Sequence, residues 1–217
     1  MTRIVLASDT HMLHDKVDWP EGDILVHAGD ITSYGTSGEL NRLVEWVQQK
    51  ASYQKVVMVA GNHDHAFTGD NQRARKTILK SRKITYLEDS GCEIDGRIKF
   101  YGSPWTFNNL YKECEWAFGQ RSELGLYSKW KMIPDDIDVL VTHSPPSSVL
   151  DKTYSEENVG SRSLLTEVTG RVKPKVHLFG HVHEAYGTVQ MDGITFVNAS
   201  LCSLNNVLMN EPVMVEV

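Results

Sequence analysis

Gly180-His181-Val182-His183 sets two imidazoles one residue apart, directly after the short apolar run Lys175 to Phe179. In extended backbone, positions i and i+2 project to the same side, so both rings can reach one small volume. Paired neutral imidazoles are good ligands for borderline divalent metals. Other segments carry donors in the same setting, each just beyond an apolar run. Asp9 and His11 follow Ile4-Val5-Leu6-Ala7, and Asp30 follows Ile24 to Ala28 and Gly29. Asn62, His63, Asp64 and His65 follow Lys55 to Ala60 and Gly61, and His143 follows Val139-Leu140-Val141. Singly, some of these have plainer readings: Asp9 can cap a turn, and Gly29-Asp30 is an ordinary turn pair. A buried strand that ends in a carboxylate and an imidazole is nevertheless expensive unless both are satisfied, and a shared metal satisfies both. Together, Asp9, His11, Asp30, Asn62, His63, His143, His181 and His183 are far more specific than any one of them.

The donors exceed what one four- to six-coordinate ion uses, and one carboxylate can bridge a pair of ions. Two ions about 3.5 to 4 Å apart are the usual clamp for phosphoryl chemistry. Mixed imidazole and carboxylate ligation suits manganese, iron or zinc, the first two above all, better than magnesium or calcium, which prefer all-oxygen shells.

Elements that would position these residues are legible around them. Each apolar run reads as a buried strand, and open α/β sheets place ligands beyond their strands' carboxyl ends. A helix is expected after Asp30, capped by Thr36 or Ser37, with Leu40, Leu43, Val44 and Val47 on its inner face and Trp46 widening it. Asp70 can cap a second helix, with Ala74, Ile78 and Leu79 inward. Cys92 to Ile94 and Ile98 to Tyr101 pair across Asp95-Gly96, a strong hairpin turn. A further helix is expected from about Ser161 to Val172, with Leu164, Leu165 and Val168 inward. Gly187 to Met191 pairs with Ile194 to Val197 across Asp192-Gly193, and Val213 to Val217 forms a last strand. His27, inside its strand, reads as a packed or hydrogen-bonded core residue. Between Ser103 and Trp130, Trp105, Phe107, Tyr111, Trp116, Phe118, Tyr127 and Trp130 alternate with Asn108, Asn109, Lys112 and Arg121. This segment reads as a loop and short helix that bury most of their rings on the body, with a minority free to stack on a substrate.

Composition bounds the rest. At 217 residues, 41% of them hydrophobic, the chain can bury one good core, and one domain spanning residues 1–217 is expected. Lys and Arg number 22 against 28 Asp and Glu, a net charge of −6, and no basic block stands out, which argues against non-specific nucleic-acid binding. Cys92, Cys114 and Cys202 are widely spaced and read as reduced packing residues in a cytoplasmic protein. No apolar run is long enough for a membrane span, and Ile4 to Ala7 is too short for a signal-peptide core.

Asp9-x-His11, Gly29-Asp30, Gly61-Asn62-His63-Asp64, His143 and Gly180-His181-x-His183 resemble the full signature of the calcineurin-like metallophosphoesterases. Further stretches resemble the metallophosphoesterase-domain-containing phosphodiesterases within that superfamily. They are Tyr101 to Thr106, Thr142-His143-Ser144-Pro145-Pro146, Phe179 to Gly187, and Val197-Asn198-Ala199-Ser200. Asp64-His65 departs from the subgroup's usual pair and leaves a role for His65 open.

The resemblance implies a four-layer αββα sandwich of two mixed sheets flanked by helices. It also implies that Asp9, His11 and His183 hold one ion and Asn62, His143 and His181 the other, with Asp30 bridging. His63 would act as general acid, with Asp64 setting its orientation and favouring its charged form. The implied reaction is hydrolysis of small phosphodiesters, cyclic nucleotides or nucleotide-like esters, by a hydroxide held between the ions. Phosphomonoesterase and nuclease activity are the enzymatic alternatives, and a binding scaffold without turnover is the other class. Scaffolds of this fold have lost ligands, whereas here the set is full.

Overall fold

Strands that are apolar at successive positions must be covered on both faces, and the architecture follows from that requirement. The computed structural model describes residues 1–49, 51–69, 72–107 and 116–217. The expected cap Asp70, together with Asn108, Asn109, Tyr111, Lys112 and Cys114, lies outside the described residues.

The chain runs β1 (Arg3–Ala7), β2 (Ile24–His27), α1 (Ser37–Gln49), β3 (Lys55–Met58), α2 (Gln72–Ile78) and β4 (Ile84–Tyr86). The hairpin β5 (Ser90–Ile94) and β6 (Ile98–Ser103) follows, then the short pair β7 (Thr106–Phe107) and β8 (Gly119–Gln120), and α3 (Glu123–Trp130). The remainder is β9 (Val139–Thr142), α4 (Arg162–Glu167), β10 (Val176–Phe179), β11 (Gly187–Met191), β12 (Ile194–Asn198) and β13 (Val213–Glu216). One sheet has the order β13-β1-β2-β3-β4 and the other β11-β12-β10-β9-β6-β5. Within them β1 to β4 are mutually parallel, as are β6, β9, β10 and β12, while β13, β11 and β5 close the edges antiparallel.

Strand alternation sorts the core into three layers. Ile4, Leu6, Val26, Val57 and Val59 face Phe100, Val139, Val141, Leu178 and Val197 between the sheets. Their neighbours Val5, Ala7, Leu25, Val56 and Met58 face the other way, onto Leu40, Leu43, Val44, Val47, Ala74 and Ile78 of α1 and α2. Across the second sheet, Tyr101, Leu140, Phe179 and Phe196 pack on Leu126, Trp130, Leu164 and Val168 of α3 and α4. The four-layer αββα sandwich is therefore present, with helices on both outer faces.

Local signals place the helices. Thr36 caps α1: its Oγ1 accepts the Glu39 amide at 3.3 Å, and the Glu39 carboxylate accepts the Thr36 amide at 2.7 Å, a reciprocal box that satisfies two otherwise orphaned donors. Trp46 is buried in the layer below α1, as its spacing implied. Two expectations are corrected. Leu79 is 65% exposed, because α2 ends at Ile78 and the next residue turns outward. The helix expected to reach Val172 is α-helical only to Glu167 and finishes in a wider turn over Val168–Val172. That turn keeps both Val168 and Val172 in the core. It also lets Arg171 reach the Glu167 carboxylate and the carbonyls of Ile133 and Trp130. Cys202 is buried and Cys92 half-buried, and both are free thiols.

Leu178 is fully buried between the sheets and Leu79 lies in solvent, so their truncations should separate cleanly. Leu178→Ala should lower unfolding free energy by about 2 to 5 kcal/mol in urea denaturation; Leu79→Ala should change it by less than about 0.5 kcal/mol.

Candidate metal centre

Parallel strands end on the same side of a sheet, and both sheets present those ends to one cleft. Asp9 and His11 lie beyond β1, Asp30 beyond β2, and Asn62 and His63 beyond β3, all in the first sheet. His143 lies beyond β9, and His181 and His183 beyond β10, in the second. The structure brings all of these together. Donor atoms of Asp9, His11 and His183 lie within 4.8 Å of one another, as do those of Asp9, Asp30 and His143. Asn62 Oδ1 sits 2.9 Å from His143 Nε2 and 2.7 Å from His181 Nδ1.

Left-handed turns carry the donors into this cleft. Asp9, His11, Asp30 and His181 all have positive φ, at 54°, 41°, 53° and 70°, a region in which Asp and His are enriched among non-glycine residues. The glycines beside them are required by contact. A Cβ on Gly180 would fall 2.1 Å from Asp9 Oδ2, and one on Gly61 would fall 2.3 Å from Asp30 Oδ1. The carboxylates occupy the space where those side chains would be.

The donors are held by partners of their own. His143 Nδ1 donates to the Ala28 carbonyl at 2.8 Å, which fixes the tautomer and turns Nε2 toward the cleft. His181 Nε2 lies 3.2 Å from Thr106 Oγ1, which in turn accepts from Ser144 Oγ at 2.7 Å. Asp9 Oδ2 accepts from the His181 amide and from Ser200 Oγ, and Ser200 is itself bonded to Asn198. Thr106, Ser144, Asn198 and Ser200 carry no ligand signature in isolation; their place in the family-like stretches was the only sequence signal.

Several atoms in this buried region have no hydrogen-bond partner among the described residues: Asp9 Oδ1 and both ring nitrogens of His11, with His183 Nδ1 beside them. Unsatisfied buried groups are costly, and a cation accounts for Asp9 Oδ1 and a His11 nitrogen together. Burial drives the Asp9 and Asp30 carboxyls upward, but the surrounding imidazoles outweigh it and hold both below the ordinary carboxylate range. Burial would push His143 and His183 down; the Asp30 carboxylate beside the first and Asp9 beside the second instead raise each to about 9. Burial, with His143 adding repulsion, takes His181 down to about 3. The donor set therefore fits divalent metal ions: two buried anions among imidazoles, of which His143 and His183 otherwise hold protons while His181 stays neutral.

His63 stands at the edge of the cluster, with Nδ1 3.1 Å from the Ser33 carbonyl and its ring 4.9 Å from that of His11. The expectation that Asp64 orients it is corrected. The buried Asp64 carboxylate accepts the Thr32 amide and hydroxyl at 2.8 and 2.6 Å and the Gly61 amide at 2.8 Å. It ties the β2 and β3 loops together, and the Ser33 carbonyl orients His63. Burial and the nearby Asp30 raise Asp64 to about 6. His65 is exposed and lies outside the donor groups. His27 is a core residue, bonded to Thr10 Oγ1 and the Gly29 amide.

An αββα sandwich with histidines, carboxylates and an asparagine converging from both sheets defines a metal-dependent phosphoesterase, a class of hydrolase. The family model for calcineurin-like phosphoesterase matches residues 2–185, and the chain belongs to that family. It is 34% identical over 238 aligned positions to human metallophosphoesterase domain-containing protein 1, covering 99% of this chain and 71% of that one. A Nostoc protein named as a 3′,5′-cyclic-nucleotide phosphodiesterase is 27% identical, over 77% of this chain and 58% of its own length. Among solved structures, a Thermus thermophilus protein, TT1561, superposes with a TM-score of 0.60 at 14% identity, over 91% of this chain and 88% of that one. No helix among the described residues is long and apolar enough to cross a membrane.

Two predictions follow from this geometry. Gly180→Ala should displace Asp9 and lower bound metal in the purified protein; retention of native metal content would contradict the close approach. The second concerns protons. The raised His143 and His183 stabilise the ion-free fold fully below their ordinary value of 6.5, and that contribution is lost as pH climbs through about 9. The Tm of protein held in chelator should fall across this window, while manganese-loaded protein should not follow. Metal titrated in at neutral pH should release protons, read as a binding heat that depends on the buffer; a buffer-independent heat would refute it.

Proposed function

We propose that the protein hydrolyses small phosphodiesters at a centre of two divalent ions, manganese or iron first and zinc next. The observation that carries this reading is Asp30 Oδ2, which lies 3.5 Å from His143 Nε2 and 4.0 Å from His11 Nε2. One carboxylate oxygen thus faces two donor sets, while Asp30 Oδ1 is occupied by the His63 amide at 2.8 Å. In this reading Asp9, His11 and His183 hold one ion, Asn62, His143 and His181 hold the other, and Asp30 is shared. The bound pair would supply positive charge at the phosphoryl oxygens and a water activated at neutral pH.

The remaining work falls to the chain. The amide of His63 fixes the shared carboxylate. The ring of His63, with Nδ1 committed to the Ser33 carbonyl, turns Nε2 toward the departing oxygen and donates a proton as the phosphorus–oxygen bond breaks. Asp64 acts on this step only through the loop it clamps. Support for a diester comes from the name of the Nostoc relative. Support for a modest substrate comes from the size of the cleft, about 550 Å³, which His11, Asp30, Asn62, His63, Trp116 and His183 help to line.

A general acid matters most when the leaving group is strongly basic. His63→Ala should therefore slow release of alkoxides such as ribose oxygens by about 10² to 10⁴-fold. A nitrophenolate ester should suffer much less, with metal content near native. Equal losses accompanied by metal depletion would make His63 a ligand instead. Asp30→Asn should deplete both ions, and chelated enzyme should recover with manganese better than with calcium; an active Asp30→Asn variant with two ions bound would refute the bridge.

A further inference from the structure

Beside the metal cleft lies a second chamber of about 600 Å³. The two share His181, Val159 and Glu157 in their walls, so a substrate held at the metals can extend into both. We propose that this side chamber binds the ester arm that remains on phosphorus, and that it is built for a planar ring carrying hydrogen-bond acceptors, the chemistry of a nucleobase. The proposal rests on the phosphodiesterase reading above and deepens it.

Position comes first. His63 lines the metal cleft but not the chamber, so if His63 protonates the leaving oxygen, the leaving arm lies toward the cleft. The chamber, entered past His181, then receives the other arm. Its lining supplies both contacts that such a ring needs. Phe107 is partly buried against the outer core and also lines the chamber, an aromatic residue on which a flat group can stack. Arg162 is exposed, and its guanidinium has no hydrogen bond or ion pair to another described residue. Glu123, the carboxylate in the same wall, is already engaged by the hydroxyls of Ser161 and Ser163 and by the Ser163 amide. The Arg162 charge acts on the Glu123 carboxylate only at longer range, which leaves its fork of donors open to a ligand.

The wall at Gly160 is fixed before any ligand arrives. The buried Asp151 carboxylate accepts the amides of Ser148 and Gly160, both at 2.9 Å, and the Ser161 amide bonds to the Pro145 carbonyl at 3.0 Å. A Cβ on Gly160 would lie 2.6 Å from the Pro146 carbonyl. A wall held in this way loses little entropy on binding. Trp105, another ring of the same aromatic segment, is unavailable. Its Nε1 bonds to the Asp89 carboxylate at 2.8 Å, and the Lys129 ammonium lies 4.0 Å from its ring centre.

Thymidine 5′-(4-nitrophenyl) phosphate and methyl 4-nitrophenyl phosphate share a leaving group and differ only in the retained arm. In metal-loaded protein, Phe107→Ala and Arg162→Gln should each lower kcat/KM on the thymidine ester by about 5- to 100-fold and leave the methyl ester within about twofold, in keeping with the worth of base stacking and charged hydrogen bonds. Equal losses on both esters, or no loss on either, would overturn the chamber. Calorimetric binding of thymidine 5′-monophosphate to the same proteins separates this result from turnover. Binding weakened by Phe107→Ala supports the chamber even where neither ester is cleaved, in which case the phosphodiesterase reading alone falls. Binding indifferent to both substitutions overturns the chamber whatever the activity.

Discussion

Asp9 and Asp30 are carboxylates with essentially no exposure, placed side by side where two sheets meet. Buried charge of one sign is tolerated only with charge of the other sign close by. Most of the geometry around them answers that demand. Imidazoles arrive from β1, β3, β9 and β10, and two of them, His143 and His183, are pushed toward their protonated forms when no cation is present. The same charge balance makes the site a metal receptor, since cations can replace the protons on those rings without changing which groups face one another. Left-handed turns at four of the donors, and glycines that leave room for the carboxylates, are the backbone's contribution.

The cluster of donor residues was legible in the sequence because its logic is local. A strand period tells where an apolar run ends, and a donor just past that end is visible without knowing which strand pairs with which. The burial of the central strands was legible for a related reason: Val139-Leu140-Val141 and Val56-Val57-Met58, apolar at every position, need cover on both faces, whereas the layering of two sheets came only from the family resemblance. Leu79 and the end of α4 were misread because helix ends depend on what the next segment does. Periodicity continues past the residue at which the chain turns away.

Asp64 shows a second kind of limit. The resemblance implied that Asp64 orients His63, but neighbouring residues on a tight loop point in different directions, and the carboxylate satisfies amides from Thr32 and Gly61 instead. The hydroxyls of Thr106, Ser144 and Ser200 were invisible to residue-by-residue chemistry for the opposite reason. Each is a common residue whose value comes from a partner far along the chain, as in the bond from Ser200 Oγ to Asp9 Oδ2. The fate of Trp105 is similar: a ring that composition offers to a substrate is claimed by Asp89 and Lys129.

The donor groups do not divide by sheet. Asn62, from the first sheet, bonds to His143 and His181 of the second, and Asp9 of the first bonds to the His181 amide and to Ser200 of the second. Burial of apolar area between the two sheets is non-directional, so by itself it favours contact more than any one register. A polar cluster spanning that seam acts as a rivet. It permits one alignment of the two sheets and penalises every displaced one, so the centre that is to do chemistry also serves as the gauge that sets how its own two halves are docked.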